Sequence, residues 1–250
     1  MGTRVTRGEW VQVLAVSVLA LVHIAAPWLR LVSALPRSMW LSFGGGVSVA
    51  YVFVHLLPEV ARGQRAVADD VPTALHAVED HVWLVALAGL VAFYGVEHAS
   101  SRSRDRRRRA GGDDRAEARV FWVSTAAFAL LNVVVGYLVV HREPRSTGAL
   151  LLFTAALAVH FLVADAGLMR HHGVDHHRWG RWILVASVLA GFAIGLLTSI
   201  GEEALAVLVA FLAGGIVLNV LKDEVPGDRQ ARFLPFLLGA VGYSALLLAA

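Results

Sequence analysis

The chain contains no cysteine, so disulfides and thiolate metal sites are excluded, and the redox compartment is left open. Charge is also scarce. Asp, Glu, Lys and Arg make up 16% of the 250 residues, while 57% are hydrophobic and the mean hydropathy is +0.64. Soluble domains carry about 25% charged residues, so this balance predicts an integral membrane protein of all-α class. No Ser, His and Asp set converges at one depth by spacing, which argues against an intramembrane hydrolase, and no enzyme or bound cofactor is expected. The net charge of +3 and pI near 9.8 point superficially to nucleic acid. In a membrane protein, however, arginines act as topology signals, and no nucleic-acid partner is expected.

Long apolar runs take the place of charge. Stretches long enough to cross a bilayer, about 20 residues each, fall at roughly 10–32, 39–58, 81–98, 120–140, 148–169, 182–200, 203–221 and 233–250, eight spans in one transmembrane domain over 1–250. Arg4 and Arg7 ahead of the first run imitate a signal peptide. The run is too long for one, and no small-residue cleavage site precedes Pro27 and Trp28, so it reads as a helix. Of the 22 basic residues, 16 lie at one set of helix ends and loops. That asymmetry predicts a multi-pass protein of the cell (plasma or inner) membrane with the arginine-rich side cytoplasmic and both termini outside.

The segment from Ser100 to Arg119, SSRSRDRRRRAGGDDRAEAR, is the long polar, low-complexity stretch of the chain. It reads as a disordered basic cytoplasmic loop and a topology determinant. Contact with anionic headgroups, about 1 kcal/mol per arginine, is the alternative role.

The most distinctive stretch is Ser42 to Glu59, SFGGGVSVAYVFVHLLPE. Its small residues allow close helix approach where lipid gives no hydrophobic drive. His55 and Glu59, four positions apart and about 40° apart around a helix, face the same way. Pro58 reads as the helix terminator. An opening of the form (S/A)-F-x-(A/G)-G followed by H-L-L-P-E resembles the second transmembrane helix of the ZIP (Zrt/Irt-like) family of divalent-metal transporters. Ala210 to Pro226 repeats the pattern: Phe211 answers Phe43, Gly214 answers Gly46 and Pro226 answers Pro58. With four spans between the copies they run in opposite directions, as in an inverted-topology repeat. The resemblance implies a 3+2+3 helix arrangement and transport of a divalent cation, zinc foremost, as substrate. The expected partners are the bilayer, the cation and a second copy of the chain.

The ligands that this resemblance requires are mostly absent. The family carries motifs like H-N-x-x-(D/E)-G and H-E-x-x-(H/Q/E) on its fourth and fifth helices. Here the fourth span reads Leu131-Asn132-Val133-Val134-Val135-Gly136 and the fifth His160-Phe161-Leu162-Val163-Ala164. Only Asn132 and His160 keep a ligand. Two neutral donors do not neutralise a dication, for which about four donors are usual with zinc. His55, Glu59 or Asp165 would have to add charge.

Other ionisable groups at membrane depth suggest function by default. Asp165 lies about 140° around the helix from His160, so the two cannot easily share one ion. His23, one turn before Pro27, is either a site residue or a hydrogen-bonded packing residue. Glu202 and Glu203 read as first-turn carboxylates that complement a helix N-terminus. A His-rich loop with His171, His172, His176 and His177 around Asp175 could bind zinc, nickel or copper, or be merely polar. The functional expectation is therefore a divergent ZIP-like transporter, or else a ZIP-fold protein that has lost transport and acts as scaffold, sensor or interaction partner.

Overall fold

The computed structural model describes residues 7–29, 37–70, 81–112, 116–141, 146–219 and 233–249. Among these residues the chain forms nine α-helices and no strand: α1 (Arg7–Leu29), α2 (Arg37–Tyr51), α3 (Leu57–Asp70), α4 (His81–Arg109), α5 (Ala118–His141), α6 (Thr147–His172), α7 (Arg181–Leu197), α8 (Glu202–Asn219) and α9 (Phe233–Ala249). Single π-helical turns, Val52–Leu56 and His176–Gly180, join α2 to α3 and lead into α7. Six helical stretches are long and apolar enough to cross a membrane: Gly8–Ala26, Ser42–Gln64, Val82–Arg109, Ala118–His141, Thr147–His172 and His176–Leu197. The chain is thus a multi-pass membrane protein. Of the remaining two expected spans, α8 has 18 residues and α9 has 17.

Large apolar side chains line the outside, among them Leu87 and Val91 on α4 and Leu234 and Leu238 on α9. That surface suits hydrocarbon rather than water. Inside, glycines set the packing. A Cβ added at Gly46 would lie 2.1 Å from the Phe236 carbonyl oxygen, and one at Gly239 2.2 Å from that of Phe43, so α2 and α9 touch backbone to backbone. The same geometry joins α4 to α8, where a Cβ at Gly214 would fall 1.8 Å from the Ala86 oxygen and one at Gly89 2.2 Å from that of Phe211. Between α5 and α7, a Cβ at Gly136 would fall 2.1 Å from the Val188 oxygen and one at Gly191 2.0 Å from that of Val133. Helix α1 packs chiefly on α6 and α7.

Two sequence expectations need correction. Pro58 does not end its helix, because α3 continues from Leu57 to Asp70. Proline removes an N–H and crowds the preceding turn. The π turn accommodates this, with Leu57 N–H bonding Val52 O five residues back.

Nor is the segment 100–119 disordered in its first half, since α4 runs through Arg109. Arginine is a good helix former, and four in the last turn oppose the negative end of the helix dipole. Glu117 N–H then bonds Ser103 Oγ at 2.9 Å and Ala116 N–H bonds His171 O at 2.8 Å, which docks the chain onto α4 and α6. Residues 113–115, both chain ends and Val220–Pro226 of the second motif copy lie outside the described residues.

Candidate functional site

Polar side chains gather on α1, α5 and α6 and on the second π turn. His23 of α1 is 1% exposed and stacks on Phe161 of α6 with ring centroids 4.6 Å apart. Its Nε2 lies 2.8 Å from Asn132 Oδ1, and its Nδ1 lies 2.8 Å from Asp165 Oδ2. Asn132 Nδ2 donates to the Phe128 carbonyl one turn back at 2.8 Å. The other Asp165 oxygen, Oδ1, is 3.1 Å from His176 Nε2. Asn132, Asp165 and His176 are as deeply buried as His23.

Local geometry explains how His176 reaches this network. Gly173 closes α6 at φ +55°, a left-handed conformation that favours glycine, and the π turn then directs His176 inward. Gly180 faces the ring, because a Cβ there would fall 2.4 Å from His176 Nδ1. Gly180→Ala is expected to push His176 off Asp165. A change in the His176 ring resonances of 15N-labelled protein checks this, and unaltered resonances would refute it.

The sequence-predicted His-rich loop is therefore not a loop. His172 is buried against Phe121, ring centroids 5.4 Å apart, and both of its ring nitrogens lack a hydrogen-bond partner among the described residues. His171 Nε2 pairs with Glu97 Oε1 of α4 at 2.9 Å, and of the four histidines only His177 is exposed. Helix α6 simply continues through His172, which carries half of the cluster into the protein.

The apolar residues at the positions where the resemblance would place ligands are core. Leu131, Val135, Phe161 and Ala164 are 3%, 0%, 1% and 9% exposed. His160 is buried beside Phe161, ring centroids 6.3 Å apart. Asn132 and Asp165 each spend both polar atoms on the hydrogen bonds above. Among the described residues no three His, Asp or Glu side chains form a group able to hold a metal ion. Asp165 bonds both His23 and His176, and Asn132 joins the network through His23.

A second polar site lies at the far end of α5, about 30 Å from Phe121 at 1.5 Å per residue. A cavity of about 400 Å³ opens there, lined by His55, Glu59, Arg62, His141, Ser199 and Glu202 among others. His55 and Glu59 share the cavity as their spacing predicts. Glu59 pairs with Arg62 on the same helix. His141 Nε2 sits 2.8 Å from Gly195 O and 3.0 Å from Thr198 O, with its ring stacked on Tyr137. Ile200 N–H donates to the Tyr137 hydroxyl at 2.9 Å. Glu202 and Glu203 occupy the first turn of α8, as expected.

Sequence reasoning missed Glu97 and His141. A carboxylate inside the third expected span was a signal for Glu97, by the rule that membrane-depth charge is expensive. His141, at a helix end beside Arg142, gave no such signal.

No known family model and no curated protein matches the chain.

Proposed function

We propose that the chain is a ZIP-like membrane protein, built as an inverted repeat, that has lost dication transport along the family's path and acts as a scaffold, sensor or interaction partner. The repeat is supported by reciprocal packing. Gly46 on α2 meets a carbonyl of α9 while Gly214 on α8 meets one of α4, and Phe43 and Phe211 receive Gly239 and Gly89 in return. A twofold axis exchanging the first three helices with the last three would map each contact onto the other, and would pair α1 on α6 with α7 on α5. On this reading the arrangement is 3+2+3, with eight spans and the arginine-rich ends cytoplasmic.

Loss of transport is read from one arrangement: four of the positions where the family carries ligands hold buried hydrocarbon, and both polar atoms of Asn132 are hydrogen-bonded, to His23 and Phe128. A dication passing there would lose its water against hydrocarbon at four positions, and the neighbouring Asn132, His23 and Asp165 would have to give up the hydrogen bonds they make with one another to bind it. Purified protein in liposomes is expected to take up no more Zn²⁺, Mn²⁺ or Cd²⁺ than empty vesicles. Saturable uptake abolished by His160→Ala would overturn the proposal.

Divalent-metal transport is the second reading, and the outer cavity favours it. The His55 imidazole and the Glu59 and Glu202 carboxylates line a space large enough for a hydrated cation. On that reading the cavity is an entrance, and Glu59→Gln with Glu202→Gln would abolish uptake.

A further inference from the structure

We infer that His23 and Asp165 together hold one proton at membrane depth, so that the pair is a buried proton-binding site of zero net charge. One acceptor in the network is fixed by its chemistry. The Phe128 carbonyl can only accept, so the atom of Asn132 that faces it at 2.8 Å is the amide nitrogen. Turning that amide over would set two oxygens against each other. The remaining oxygen, Oδ1, can only accept, and His23 Nε2 lies 2.8 Å from it, so Nε2 carries a hydrogen. A neutral imidazole has one N–H, and this one is now assigned.

His23 Nδ1 nevertheless lies 2.8 Å from Asp165 Oδ2. A bare ring nitrogen and a carboxylate are both acceptors and do not approach to that distance without a hydrogen between them. The hydrogen is bonded either to Nδ1, giving imidazolium and carboxylate, or to Oδ2, giving neutral imidazole and carboxylic acid. The two forms have the same atoms and the same total charge. They differ only in which side of one hydrogen bond carries the proton. Asp165 Oδ1 is occupied separately, with His176 Nε2 3.1 Å away.

Burial acts in the same direction. His23 and Asp165 are 1% and 2% exposed, and a lone carboxylate in a low-dielectric interior costs far more than a neutral pair. The groups that face the pair are few. Helix α5 contributes the uncharged Asn132, and α6 carries His160 one residue from the Phe161 ring that stacks on His23. The π turn contributes His176, and beyond it His172, His171 and Glu97 interact with one another toward the end of α6. Removing the proton would leave two lone pairs opposed at the point where α1, α5, α6 and the π turn are tied together. The proton is thus the ligand that closes this junction. The inference depends on hydrogen-bond geometry and on neither functional reading.

Full-length protein in lipid bilayers, labelled with 15N-histidine, tests it by solid-state NMR and infrared spectroscopy. His23 is assigned by the signal lost in His23→Gln, or by backbone correlations in the wild type if that variant does not fold. The expected result is a His23 ring protonated on both nitrogens, or a carboxylic-acid C=O stretch that disappears in Asp165→Asn. In Asp165→Asn the new amide can donate to Nδ1, so His23 is expected to become singly protonated. A wild-type His23 with one bare nitrogen, together with no carboxylic-acid band that is sensitive to Asp165→Asn, overturns the inference.

Discussion

Asp165→Ala is expected to cost about 3–5 kcal/mol of folding stability, as removal of one member of a buried charged pair does elsewhere. The truncation strands His23 Nδ1 and His176 Nε2 inside the protein, and it unties α1 and the π turn from α6. Interhelical hydrogen bonds in membrane proteins average only about 0.6 kcal/mol. The size of the loss therefore separates two accounts of Asp165. A loss near 1 kcal/mol would mean two ordinary hydrogen bonds, whereas several kcal/mol would mean uncompensated burial of polar groups. Asp165→Asn supplies the contrast, because its amide can donate to His23 and accept from His176. It is expected to cost about 0.5–1.5 kcal/mol. Reversible unfolding in detergent or bicelles reads both values, and equal costs for the two variants would show that the carboxylate is not what holds the junction.

Gly214→Ala is expected to destabilise by at least about 1–3 kcal/mol, the usual cost of overpacking, and Gly214→Leu is expected to prevent assembly of the fold. The added Cβ would lie 1.8 Å from Ala86 O and 2.7 Å from Leu90 N, both backbone atoms that cannot swing aside. Helix α8 must therefore move off α4, and the contacts along the whole pair are lost with it. Gly46→Ala is the counterpart, with its Cβ 2.1 Å from Phe236 O between α2 and α9. As the two glycines sit in separate helix pairs, their costs are expected to add within about 0.5 kcal/mol. Gly95→Ala on α4 and Gly242→Ala on α9 are the controls, since nothing lies within 4 Å of a Cβ at either position. Better helix propensity is expected to make them neutral or slightly stabilising. Thermal unfolding of the four alanine variants checks this, and a Gly214→Ala protein as stable as Gly95→Ala would refute the packing account.

The motif pair illustrates what a sequence can carry. Phe43 with Gly46 and Phe211 with Gly214 were legible because a close helix contact constrains residue size at fixed spacing, and that constraint is local. The partners Gly239 and Gly89 were not legible as partners, since a glycine seen alone does not say which carbonyl it faces. Pro58 was misjudged for a related reason. Its missing N–H is a local fact, but whether the helix stops or absorbs it in a π turn depends on what the continuation packs against, here α8.

The polar sites divide in the same way. His55 and Glu59 share a cavity as their spacing requires, because a period along one helix is a property of the chain. Asp165 is legible in the sequence as an expensive group, and the helical period sets it about 140° around the axis from His160. Its actual partners, His23 and His176, stand 142 and 11 residues away and belong to different helical segments.

Composition and hydrophobic periodicity were sufficient to determine an all-helical, multi-pass membrane protein, because in hydrocarbon a chain this apolar must satisfy its backbone polar groups within helices. The same residue types place hydrocarbon at Leu131, Val135, Phe161 and Ala164 of the fourth and fifth spans. Only the tertiary structure decided that Asn132, His23, Asp165 and His176 form one network. It also decided that His172 is core and that Arg106 to Arg109 extend a helix. The reason is physical: a side chain's type sets what it must bond, while its partner is chosen by helices that meet across long stretches of sequence, and no local period encodes that choice.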